Sequence, residues 1–259
     1  MASKVIFLGN GPLADYALEV IKKKCEVVFH ARSKDDLEEV CRIKKEMPEV
    51  HGVLASFGVM IPESVLELFE PEGILNIHPS LLPLYRGASP IESAILNGDT
   101  DFSVSVMKLV KAMDAGPIYY QTTLSDLPLC KDDIYKALAK TGAEWICQNL
   151  TNLSEPVLQD DSKATYCGKL DKSMSLLTPD TDTAEVTFRK IVAFQRYPKP
   201  KFAFYGIKCI ILEAHILSQS ETALLSIPCV DGGIVAIDRL QPEGKKPMDA
   251  KSFINGYKR

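Results

Sequence analysis

Within its first hundred residues this chain passes four times from a short apolar run into an amphipathic or polar stretch, and that alternation leaves few folds open. Val5-Ile6-Phe7-Leu8 stops at Gly9-Asn10-Gly11, and Glu26–His30, Val50–Ala55 and Ile74-Leu75-Asn76-Ile77 follow at similar intervals. Each run has the length of a buried strand. Between them, Leu13, Tyr16, Ala17, Val20 and Ile21 recur at helical spacing. Ser33-Lys34-Asp35-Asp36 has the pattern of a capping box opening a second helix through Leu37, Val40, Cys41 and Lys44. Pro62–Phe69 predicts a third helix with proline in its first turn. Strand and helix in alternation predict an α/β fold, a parallel sheet covered on both faces.

Further along, Pro90–Asn97 reads as a helix, Phe102–Leu109 and Ile118–Leu124 as strands, and Lys131–Leu150 as a long helix. Residues 151 to about 182 are rich in Ser, Thr, Asp and Pro and read as a linker. Beyond it, a helix over Ala184–Ala193 precedes four short apolar runs, Phe202–Tyr205, Cys209–Ile216, Ala223–Ile227 and Gly233–Ile237. That pattern suggests a small second β domain, barrel-like in form.

Bulk charge argues against a strongly basic nucleic-acid module, since 30 Lys and Arg face 34 Asp and Glu. The distribution is uneven. Residues 1–150 carry 15 basic and 21 acidic side chains, whereas the remainder carries 15 and 13, so any anionic partner would meet the second part. The seven cysteines include no C-x-x-C pair and read as reduced thiols, with no zinc knuckle and no other metal expected. The opening apolar run is too short for a signal peptide. The longest uncharged apolar stretch, Val53–Pro62, is far below the ~20 residues that cross a bilayer. A soluble cytoplasmic protein with no membrane partner, monomeric by preference, is the expectation.

Two segments carry candidate chemistry. Gly9-Asn10-Gly11-Pro12-Leu13-Ala14 fits a dinucleotide fingerprint, but the second strand ends in His30-Ala31-Arg32 where an acid would hold a ribose, and Pro12 removes a phosphate-facing N–H. A tight strand-to-helix turn is the simpler reading. Asn76 and His78 are two apart on a predicted strand, so they project from one face: an amide donor beside an imidazole that can hold a developing oxyanion. On spacing alone, a capping asparagine and a core histidine are the favoured reading. Ser80-Leu81-Leu82-Pro83, stiffened by prolines, and Phe57-Gly58-Val59-Met60-Ile61 lie at neighbouring strand ends and could wall an apolar slot for a flat heteroaromatic ligand, or simply pack as loops. Asp114, in Asp114-Ala115-Gly116-Pro117, is either a solvated turn residue or a carboxylate facing His78.

Asn76–Gly87, with Ala88-Ser89-Pro90-Ile91 and Asn97-Gly98-Asp99-Thr100, resembles the folate-dependent formyltransferase family. The likeness continues through Ala164–Leu170, Ile191–Pro198, Leu240–Met248 and Phe253–Gly256, segments similar to the branch that formylates methionyl-tRNA. The resemblance implies a Rossmann-like catalytic domain (residues 1–160), a linker (161–180) and a barrel-like C-terminal domain (181–259). It implies 10-formyltetrahydrofolate as donor and initiator methionyl-tRNA as acceptor. Asn76, His78 and Asp114 take the catalytic positions. Phe57, Gly58, Val59, Ile61, Ser80, Leu81, Leu82 and Pro83 take the donor-binding ones. One departure stands out: that branch usually carries a long basic loop after its second strand, whereas here Ala31 runs through Arg32 and Ser33 into a capped helix. An N-formyltransferase acting on an amino-sugar nucleotide, or a non-catalytic RNA- or folate-binding protein, are the alternatives this departure raises.

Overall fold

The computed structural model describes residues 2–257. It divides into two compact units, Met1–Ile91 with Thr100–Gly168, and Glu92–Asp99 with Lys169–Arg259. In the first, β1 (Lys4–Leu8), α1 (Pro12–Lys24), β2 (Glu26–Ala31), α2 (Leu37–Glu46), β3 (His51–Leu54), α3 (Glu63–Leu66) and β4 (Ile74–His78) follow the predicted alternation. The two-residue strand β5 (Arg86–Gly87) comes next, then helix α4 (Pro90–Asn97), which from Glu92 onward belongs to the second unit, and, back in the first, β6 (Phe102–Lys108), β7 (Ile118–Leu124), α5 (Lys131–Asn149) and a second two-residue strand, β8 (Tyr166–Cys167).

The main sheet has the order β2-β1-β3-β4-β6-β7. Its first four strands are parallel, as expected, and the Rossmann-like arrangement is plain. β6 and β7 are antiparallel and close one edge, so the sheet is mixed rather than wholly parallel. The Ser33 capping box forms: Asp36 accepts hydrogen bonds from the Arg32 and Ser33 N–H groups at 2.7 and 2.9 Å. Those bonds hold its carboxyl below the usual range.

Each face of the sheet has its own cover. Ile6, Leu8, Leu54 and Ile74 pack with Val40 and Ile43 of α2 and with Val65 and Phe69 in one buried cluster. On the other face α5 lies across β4 and β6. Gly142 permits that approach, since a Cβ there would come within 2.8 Å of Ile77 Cγ2. β4 is buried along its whole length. Its alternation puts Leu75 and Ile77 toward α5 and Ile74, Asn76 and His78 on the face of α2 and α3. All seven cysteines are free. Cys25 and Cys147 lie 3.7 Å apart, and burial together with the neighbouring thiol pushes Cys147 up to about 12.

The second unit contains α6 (Ala184–Phe194), β9 (Lys201–Phe204), β10 (Ile207–Ile216), β11 (Ser226–Pro228), β12 (Ile234–Pro242), β13 (Met248–Asp249) and α7 (Ala250–Tyr257). The strands form an antiparallel sheet, β11-β12-β10-β9 with β13 on β12, which curls into a half-barrel. Register shifts between Ile211 and Ala214 bend its longest strand. Its core gathers Ile191, Phe204, Ile211, Ile227, Val235, Leu240 and Phe253. Helix α7 is absent from the sequence-based expectation. Among the described residues no helix is long and apolar enough to cross a membrane.

One ion pair in this unit has a pH signature. Lys190 Nζ lies 2.5 Å from Asp182 Oδ2, which also accepts from Thr178 Oγ1 at 2.7 Å. Burial works to raise the Asp182 pKa, but the bonds from Lys190 and Thr178 outweigh it and hold the carboxyl below 3.8. A depressed folded-state pKa gives stability that is present above the unfolded value and lost as pH falls through the folded one. Asp182→Asn is therefore expected to cost about 1.5–3 kcal/mol at pH 7, the range for a hydrogen bond to a charged group. The deficit should shrink as the pH is taken below 3.8, measured by urea unfolding across that range.

Candidate active site

Asn76 and His78 leave β4 on one face, as their spacing predicts, and both are buried. The His78 Nε2 atom lies 3.1 Å from the Tyr85 carbonyl oxygen. A carbonyl only accepts, so Nε2 carries a proton and donates. The other ring nitrogen, Nδ1, faces Asp114 Oδ1 at 3.7 Å, within ion-pair range but beyond a direct hydrogen bond. The structure thus brings all three polar candidates into one region. Among the described residues, none takes a hydrogen bond from the Asn76 amide. Its N–H groups are available to a ligand.

Asp114 reaches His78 by an indirect route. β6 runs antiparallel to β4, so it ends beside Leu75, at the end of β4 remote from His78. The segment joining β6 to β7 must fold back across the sheet face to bring Asp114 to the imidazole. Several contacts hold it there. Asp114 takes a left-handed backbone with φ 49°. Its Oδ2 accepts from the Gly87 N–H at 2.8 Å. Gln159 Nε2 donates to the carbonyls of Asp114 and Gly116 at 2.8 and 2.7 Å. Gln159 Oε1 in turn accepts from Arg86 Nε and Nη2 at 3.0 and 2.7 Å.

Arg86 is buried, and its guanidinium also pairs with Asp161 at 2.7 Å. Burial works against its charge, yet the bonds to Asp161 and Tyr166 keep its pKa above the ordinary value. β5 pairs with β8, so Arg86 and Gly87 are strapped to Tyr166 and Cys167. Sequence reasoning missed Arg86, Gln159 and this strand pair. Arg86 stands inside the recognised motif, but nothing local to Gln159 marks it.

The loop after β4 has its own anchor. Ser105, fully buried on β6, donates from Oγ to the Ser80 carbonyl at 2.6 Å and accepts from the Leu82 N–H at 3.1 Å. Gln121 Nε2 reaches both the Leu82 carbonyl and Ser105 Oγ. Ser80 is itself buried and donates to the Leu84 carbonyl at 2.6 Å. Within this loop Leu82 is buried, Pro83 half-buried, and Leu81 exposed. In the loop after β3, Phe57 and Ile61 are buried in the core cluster and Val59 packs against it, while Gly58 and Met60 are exposed. The residues expected along the slot thus divide. Leu81 and Gly58 face outward, and Phe57, Ile61 and Leu82 hold their loops from beneath.

The glycine-rich turn after β1 is occupied by its own neighbours. His30 Nε2 lies 2.9 Å from the Gly9 carbonyl, Asn10 Nδ2 donates to the Arg32 carbonyl, and Arg32 Nε donates to His30 Nδ1. This agrees with the strand-to-helix turn favoured over a nucleotide site. Among the described residues no group of three His, Cys, Asp or Glu side chains is placed to hold a metal ion.

A buried amide and imidazole face a loop-borne carboxylate on one side of a Rossmann-like sheet, an arrangement whose donors could meet charge developing on a carbonyl oxygen. Residues 8–150 match the formyl transferase family and residues 169–258 its C-terminal domain. The chain belongs to the formyl transferase family and is a formyltransferase. Within the family, the methionyl-tRNA formyltransferase of Dictyoglomus thermophilum is 32% identical over 260 residues, covering 92% of this chain and 81% of the relative. The fold is shared with the methionyl-tRNA formyltransferase of Clostridium thermocellum (TM-score 0.69, 18% identity, 93% of this chain and 99% of that one). It is shared as well with an N-formyltransferase from Helicobacter canadensis in complex with folinic acid and dTDP-3-aminofucose (TM-score 0.65, 16% identity, 92% and 99%).

Proposed function

We propose that this enzyme transfers the formyl group of 10-formyltetrahydrofolate to the α-amino group of methionine on initiator tRNA. The observation that carries the proposal is the likeness to relatives of that name over most of the chain, joined to the meeting of Asn76, His78 and Asp114. In this reading residues 1–160 form the catalytic domain, 161–180 the linker and 181–259 the C-terminal domain. The acceptor amine attacks the formyl carbon, a C–N bond to the acceptor forms, and the carbonyl oxygen takes up negative charge. Donors placed for that charge, rather than for the neutral carbonyl, lower the barrier. The Asn76 amide is one of those donors, and His78 Nδ1 is the other, since Nε2 is spent on the Tyr85 carbonyl and Nδ1 makes no direct hydrogen bond to Asp114. The bond from carbon to N10 then breaks, and the proton shed by the amine passes to N10. Asp114, 3.7 Å from Nδ1, keeps the ring oriented through that transfer. The exposed faces of the Gly58–Ile61 and Ser80–Pro83 loops receive the pterin.

The test is formation of formyl-methionyl-tRNA from 10-formyltetrahydrofolate and methionyl-initiator tRNA, beside an active control enzyme. No product would reject the reading. One observation favours a second acceptor class. β2 ends at Ala31 and a short 3-10 turn begins at Lys34, leaving only Arg32 and Ser33 where a long basic loop would enter an acceptor stem. Formylation of an amino-sugar nucleotide from a panel, undiminished by added uncharged tRNA, would establish that alternative. The cytoplasm is the proposed compartment and a monomer the proposed state.

A further inference from the structure

We infer that Gln159 is a positioning residue for Asp114, with Arg86 fixing the orientation of its amide. The inference rests on the reading of Asp114 given above. Three hydrogen-bonded links, closed by the chain itself at Arg86–Gly87 and within Asp114, make a ring. The Arg86 guanidinium donates twice to Gln159 Oε1. Gln159 Nε2 donates to the Asp114 and Gly116 carbonyls. The Gly87 N–H, next along the chain from Arg86, donates to Asp114 Oδ2. Asp114 itself closes the circuit between its main chain and its carboxylate.

The chemistry of the partners permits one amide orientation. Turned over, the NH2 group would face a guanidinium, and the oxygen would face two carbonyls. Every contact would then be donor to donor or acceptor to acceptor. Both Nε2 hydrogens are used on the segment that folds back across the sheet, and both bonds are of ordinary length. The three-residue stretch Asp114–Gly116, whose first residue is left-handed, has little of its own to hold it against β4. The Gln159 side chain supplies two bonds at the carbonyls flanking Ala115, while Gly87 supplies the third, at the carboxylate. Gln159 touches neither His78 nor any reacting atom in this account. Its effect passes through Asp114.

The experiment is a double-mutant cycle on formyl transfer with Gln159→Ala, Asp114→Asn and the pair. Displacing a catalytic group by about 1 Å costs up to about 100-fold, so Gln159→Ala should lower kcat by roughly 10- to 100-fold, with KM for the donor within about twofold of the parent. Because the residues act as a unit, the double variant should be no slower than Asp114→Asn alone. Gln159→Met keeps the length of the side chain without its donors, and serves if the alanine variant folds poorly. Its pH profile for kcat should take the shape of the Asp114→Asn profile, whereas a merely structural loss would scale the parent profile at every pH. Full turnover in both Gln159 variants, or losses that multiply in the double variant, would overturn the inference while leaving the active-site reading intact. Unchanged turnover in Asp114→Asn would overturn that reading and the inference with it.

Discussion

Alanine at position 78 is expected to lower the turnover of formyl transfer at least ~100-fold, the usual loss when one donor to a developing oxyanion is removed. The geometry says why the loss should fall on kcat. His78 holds the Tyr85 carbonyl with Nε2 and presents Nδ1 to Asp114. With the ring gone, Asp114 still accepts from Gly87 and its main chain still accepts from Gln159. The Ser80–Leu82 loop also keeps its bonds to Ser105. The elements that would grip the donor stay in place, so its KM should change far less than kcat. Asn76→Ala removes the other donor and should give a loss of the same order. Steady-state kinetics with 10-formyltetrahydrofolate and methionyl-initiator tRNA measure both. Near-parental rates in the two variants would remove these residues from the chemistry.

The same residues show what a sequence makes legible. That Asn76 and His78 share a strand face was readable because a strand repeats every two residues, but spacing alone favoured a cap and a core histidine, and their catalytic role was read from the family motif. The parallel part of the sheet was readable for a similar reason, since each strand and helix announces itself within a dozen residues. Asp114 could be named from the family motif but not from spacing, because its approach to His78 depends on a segment folding back over the sheet. Arg86 and Gln159 bond across 73 positions and Gln159 and Asp114 across 45, so no local pattern records either contact. Residues 157–168 are polar and lack an apolar rhythm, yet they contribute the Val157 bridge to Ile118, Gln159 and β8. Helix α7 was missed because Ser, Asn, Gly and two aromatics over 250–257 make a poor helix on propensity. Phe253, fully buried in the core of its unit, overrides that preference.

Gly116→Ala is expected to be the most damaging single-methyl change near the site, lowering stability and disabling the molecules that remain folded. A Cβ at this position would stand 1.8 Å from the Lys108 carbonyl oxygen and 3.0 Å from its carbon, both main-chain atoms of β6. No rotamer relieves such a contact, so the two backbones must separate by more than an ångström. The Lys108 N–H to Pro117 carbonyl bond, 2.9 Å long, lies directly in the path of that movement. Overpacking of this kind typically costs about 1–3 kcal/mol. The larger consequence is for catalysis. Gly116 shares Gln159 Nε2 with Asp114, so the segment moves as a piece and carries the carboxylate from His78. A shift of about 1 Å is worth up to about 100-fold in rate. Gly256→Ala supplies the contrast. A Cβ there meets nothing within 4 Å, and the position lies in α7, where alanine is favoured over glycine by up to about 1 kcal/mol. It should leave turnover unchanged and hold or raise the unfolding midpoint. Activity of Gly116→Ala per folded molecule, with the folded fraction taken from urea unfolding, separates the two effects. A variant that is less stable yet turns over normally when folded would show that the segment can shift without moving Asp114, against the account of how the carboxylate is held.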